Sequence, residues 1–133
     1  MNLNLTFPLM INKIDLRETL DLPLFETTTE TESFQNHTLR PVLKLQNEIF
    51  LMLFRDYAMR KTSDFDTLKK EKKILFIDQS LQKDNALRNT FIGMTIGMLT
   101  PEEMKIYLSD TKALNKRIIS MLMERIKSQV ELI

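Results

Sequence analysis

Only two glycines occur in 133 residues, and both fall in one apolar stretch, Asn89-Thr90-Phe91-Ile92-Gly93-Met94-Thr95-Ile96-Gly97-Met98-Leu99. A sheet-rich domain spends glycine freely at hairpins, where positive φ angles are needed. With four prolines besides, the chain must turn mostly on Asp, Asn, Ser and Thr, the residues that cap helices. An all-α fold follows. The stretch ends in Thr100-Pro101-Glu102-Glu103, which has the form of a capping box: a threonine N-cap, proline at the first helical position and glutamate three residues after the cap. The two glycines lie one helical turn apart on one face. Each costs about 1 kcal/mol against alanine inside a helix, so the pair predicts a close approach of another helix. That helix belongs either to this chain or to a second copy; the remaining alternative is that the face is a groove for an apolar ligand.

Apolar periodicity places the remaining helices. The first long one is expected over residues 39–60, with Thr38 as N-cap, Pro41 in the first turn and a stripe through Leu43, Phe50, Leu51, Phe54, Tyr57 and Ala58. A second is expected over 64–82 behind Ser63. A third begins after Asp84 and runs to Leu99. The capping box starts a short helix to Leu108, and the last helix covers 112–132. The expected architecture is a bundle of about four long helices and one short helix over residues 34–133. Residues 1–33 form an extended arm and a polar linker, Glu26-Thr27-Thr28-Thr29-Glu30-Thr31-Glu32-Ser33. Leu3, Leu5 and Phe7 alternate like a short strand before Pro8, and Asp15 to Leu22 suits one or two helical turns. The arm is rich enough in Leu and Ile to dock on its own bundle or on a partner chain.

Composition excludes several chemistries. With no cysteine there are no disulfides, thiolate metal sites or thiol nucleophiles. One histidine, His37, and no carboxylate pair at bundle-metal spacing predict no metal centre, no cofactor and no catalytic residue. No apolar run approaches the ~18 residues of a membrane span, and the N-terminal residues lack a basic signal-peptide region, so a cytoplasmic location without membrane contact is expected. Net charge is +1, three basic and six acidic side chains in residues 1–40 against sixteen and twelve afterwards.

Three functional readings remain. The first is a non-enzymatic bundle acting by self-association, as a dimer, or by binding a partner helix through the Gly93 and Gly97 face. Its methionines, such as Met52, Met94 and Met98, would give an adaptable surface. The second is a small-molecule pocket or enzyme site in the bundle, lined by Asn47, Arg88, Asn89 and Asn115, the polar residues that fall on core-facing stripes. The third is weak nucleic-acid binding through Lys69, Lys70, Lys72 and Lys73.

Several segments, in order, carry a resemblance: Leu39-Arg40-Pro41-Val42-Leu43-Lys44-Leu45-Gln46-Asn47, Arg88-Asn89-Thr90-Phe91-Ile92-Gly93 running on to Gly97, the capping box, and Leu114-Asn115-Lys116-Arg117. Over residues 34–133 the chain resembles a family of small, uncharacterised bacterial helical proteins, some members of which are labelled "glyoxalase". The resemblance implies the all-α fold. The label implies methylglyoxal turnover, whereas the metal-dependent glyoxalases use a mixed sheet and several His and Glu ligands, and this chain has a single histidine.

Overall fold

The computed structural model describes residues 13–17 and 30–133. Seven α-helices run in order: α1 (Glu30–Phe34), α2 (Arg40–Leu45), α3 (Asn47–Lys61), α4 (Lys70–Lys83), α5 (Asn85–Ile96), α6 (Pro101–Ser109) and α7 (Thr111–Ser128). Short 3-10 turns cover Lys13–Leu16, Phe65–Thr67 and Val130–Leu132. The described residues contain no strand, so the fold is all-α. The Leu3, Leu5 and Phe7 alternation, and most of the helical turns expected up to Leu22, lie outside the described residues.

The first long helix differs from expectation in a way that Pro41 explains. Thr38 is not an N-cap; it is buried inside a π-helical segment, Gln35–Leu39, that joins α1 to α2 without a break. Proline has no N–H, and its ring collides with the carbonyl four residues back, here that of His37. The chain widens by one residue just before it, and the Arg40 N–H donates to the Gln35 carbonyl instead. Helix therefore begins at Glu30, inside the stretch expected to be linker. The run breaks at Gln46 (φ −96°, ψ 9°) before α3 resumes.

The second helix starts later than residue 64. Phe65 is fully buried and stands 5.4 Å from the Phe76 ring. Burying it takes a 3-10 turn, and α4 begins only after the extended residue Lys69. Ser63 is exposed and caps nothing. The later signals hold. Asp84 caps α5 by accepting from the Leu87 N–H at 3.1 Å. Thr100 and Glu103 form both halves of the capping box. Helix α5 ends at Ile96, three residues before the expected Leu99, and α7 starts behind an Asp110 cap.

The core sits where α4, α5 and α7 pack on one another and on the aromatic face of α3. Phe50 meets Phe91 edge to face at 5.2 Å, and Phe54 meets Phe76 at 6.1 Å. Ile118, Leu122 and Ile126 of α7 are fully buried against them. Edge-to-face rings add about 0.5–1.5 kcal/mol beyond the area they bury. After α7 the chain turns back, so Val130 and Ile133 are buried while Leu132 faces out.

Candidate functional site

The α5 to α6 corner is the most elaborated polar feature. A helix end leaves its last carbonyls without partners and carries a partial negative charge. Here the carbonyls of Gly97, Met98 and Leu99 are satisfied by two cations from the N-terminal turn. The Lys13 Nζ donates to Gly97 O at 2.9 Å and to Leu99 O at 3.3 Å. Arg17 donates to Met98 O at 2.5 Å and, with both terminal nitrogens, to the two Glu103 carboxylate oxygens at 2.8 Å each. This forked pair is nearly buried, with side-chain exposures of 5% and 13%. Glu103 also accepts from the Thr100 N–H and the Thr38 hydroxyl. Burial alone would raise its carboxyl. The Arg17 hydrogen bonds, the Thr100 N–H, the Arg17 charge and the Thr38 hydroxyl outweigh that and hold it below the ordinary 4.5. The N-terminal turn thus docks on its own chain.

The glycine face has a different setting from the one expected. No described residue comes within 4 Å of a Cβ placed on Gly93, and both Gly93 and Gly97 are exposed. The intrachain half of the close-approach expectation finds no partner helix among the described residues. The solvent side of α5 is instead a band of small side chains: Asn85, Ala86, Asn89, Thr90, Gly93 and Gly97, all exposed. Beside it, the end of α2 turns outward Leu45, and α3 turns outward Ile49, Met52 and Leu53. Met52 is 69% exposed and Ile49 51%. Leu53 lines the same surface groove as Ala86 and Thr90, so the bulky residues and the small-residue band meet at Leu53.

The four polar residues expected to share a pocket have separate partners. Asn47 exchanges two hydrogen bonds with the Gln129 amide, at 2.7 and 2.8 Å, tying the start of α3 to the turn after α7. Arg88 reaches back over the end of α4 to the carbonyls of Leu81 and Gln82. Asn115 accepts from the Tyr107 hydroxyl, joining α6 to α7. Asn89 is exposed on the small-residue band. No hydrogen bond links one of the four to another.

Two lysines of the basic patch are engaged with the chain end. Lys73 donates to Ile133 O at 3.0 Å and lies over the Phe65 ring, and Lys70 stands 3.9 Å from the Glu131 carboxylate. His37 is exposed. Among the described residues no three His, Cys, Asp or Glu side chains come together to hold a metal ion, and no helix is long and apolar enough to cross a membrane. The sequence reading missed Lys13, Arg17, Arg40 and Arg125. Only the four-residue spacing of Lys13 and Arg17, one cationic pair in an otherwise acidic arm, hinted at the first two. Comparison with protein-family models, curated proteins and solved structures gave no match.

Proposed function

We propose that the protein works without catalysis, by self-association of two copies through the α3 and α5 face. One observation carries this reading: solvent-facing bulky residues, Leu45, Ile49, Met52 and Leu53, meet at Leu53 a solvent-facing band that runs through Ala86, Asn89, Thr90, Gly93 and Gly97. The two strips complement each other in relief. A twofold axis sets the ridge of one copy into the hollow of the other and repeats the match. A Cβ on Gly93 meets no described residue within 4 Å, which supports a use of this helix-destabilising glycine at an interface.

The test is the mass of the full chain in solution. The expected result is a dimer that Gly93→Leu and Met52→Glu each convert to a monomer of unchanged helicity. A native chain that is monomeric at every concentration overturns the reading. The rival reading, methylglyoxal conversion, has a direct assay: turnover with and without added Zn²⁺ or Ni²⁺. We expect none above the buffer rate, and robust turnover would replace the association reading with an enzymatic one.

A further inference from the structure

Two arginines face one groove, and neither takes part in an ion pair seen among the described residues. Between the Gln35–Leu39 segment with α2 on one side and α7 on the other lies an open groove of about 620 Å³, within the size range of small-molecule sites. Arg40 enters it from α2 and Arg125 from α7. The ion pairs seen among the described residues hold Arg17, Arg55, Arg60, Lys61, Lys70 and Lys127, and neither of these two guanidiniums. Arg125 is half-buried, and its one hydrogen bond is a long 3.5 Å contact to Asn47 Oδ1. Arg40 uses only its Nε, on Asn36 Oδ1 at 3.2 Å. The forked end of Arg40, and that of Arg125 apart from this long contact, therefore have donors to spare. Burial, and then the like charge of Arg40, pushes Arg125 down from its ordinary value. Two guanidiniums that line one groove can be stabilised by a shared anion, and their planar forks match phosphate oxygens.

The rest of the lining is mostly polar, with Leu43 and Met121 as its apolar part. Ser120, Glu124 and Ser128 recur every four residues along α7 and form one wall of the groove. The Ser128 hydroxyl is already donated to Arg125 O at 2.7 Å, leaving its oxygen as an acceptor. Glu124 lies 3.8 Å from Lys127 and is exposed. Two hydroxyls and a carboxylate beside the cations suit a ligand whose body carries hydroxyl groups. We infer that this groove binds the phosphate monoester of a small hydroxylated molecule, its phosphate between Arg40 and Arg125 and its hydroxyls along Ser120, Glu124 and Ser128.

The experiment uses the full chain, observed by ¹H–¹⁵N spectra, with three probes: glycerol 3-phosphate, inorganic phosphate and glycerol. The expected result is that glycerol 3-phosphate moves the Arg40 and Arg125 Nε–H signals and the backbone amides around Ser120 and Ser128, and binds more tightly than inorganic phosphate. Glycerol moves nothing. Arg40→Gln and Arg125→Gln each weaken binding about tenfold, the equivalent of one charge-assisted hydrogen bond. Arg40 is exposed, so its variant folds even where loss of the Arg125 contact to Asn47 loosens the α3 start. Lys70→Gln leaves binding unchanged. The inference is overturned by the absence of shifts, by affinity unaltered in Arg40→Gln, by equal affinity for inorganic phosphate and glycerol 3-phosphate, or by stronger binding of a duplex oligonucleotide at the same residues.

Discussion

Glu103 carries three duties at once. It closes the capping box on the Thr100 N–H, holds both terminal nitrogens of Arg17 and accepts from Thr38. Neutralising it strands a guanidinium that is 5% exposed. Removing one partner of a nearly buried pair is far more damaging than the net worth of the pair. Glu103→Gln should therefore destabilise the chain by about 2–4 kcal/mol at neutral pH, read from denaturant unfolding. Its folded carboxyl ionises at lower pH than the unfolded one, so this stabilisation is complete above the ordinary 4.5 and is lost as pH falls through the folded value. The gap between native and variant should close in acid; a gap that is constant with pH contradicts the ion pair. Gly93 gives the opposite prediction. No described residue stands within 4 Å of its missing Cβ, so Gly93→Ala should raise the stability of the dilute chain by about 0.5–1 kcal/mol. A loss of that size would mean that another segment packs against it.

At the scale of elements, the helix starts that the sequence made legible are those in which a polar side chain caps its own next turn. Thr100 with Glu103, and Asp84 with the Leu87 N–H, are local devices, and local spacing reveals them. Thr38 and Ser63 look the same in sequence and cap nothing. At Thr38 the helix had already begun at Glu30, and a π-helical turn absorbed the defect that Pro41 imposes. At Ser63 the burial of Phe65 against Phe76 determined the path, a contact between residues eleven apart. The docking of Arg17 on Glu103 spans 86 positions, so no window of sequence contains it. The four-residue pocket failed to assemble for a related reason: Asn47, Arg88 and Asn115 each satisfy a neighbouring helix end or partner. Periodicity placed them near the core and could not pair them. The Asp110 cap offers an element-scale test. Its carboxylate accepts from the Ala113 N–H at 3.3 Å and starts the longest helix. Asp110→Ala should cost about 1 kcal/mol in thermal unfolding while leaving helicity at low temperature unchanged, because the apolar stripe of α7 stays buried. A large loss of helicity would instead make the cap the condition for α7.

At the scale of the whole molecule, the distribution of burial is uneven. The inner face of α3 buries Phe50 and Phe54 completely, while its outer face presents Ile49, Met52 and Leu53 to solvent. A helix apolar on both sides belongs between two layers, and only one layer comes from the described part of this chain. Helix α5 is arranged the other way, with Phe91 and Thr95 buried and an outer face stripped to small side chains. In the proposed association, a second copy would supply both missing neighbours. The most direct measurement is sedimentation equilibrium of the full chain over a range of concentrations, run beside Gly93→Leu and Met52→Glu. The account predicts a native dimer, with both variants monomeric and still helical. A native monomer throughout, or a dimer indifferent to both substitutions, would contradict it.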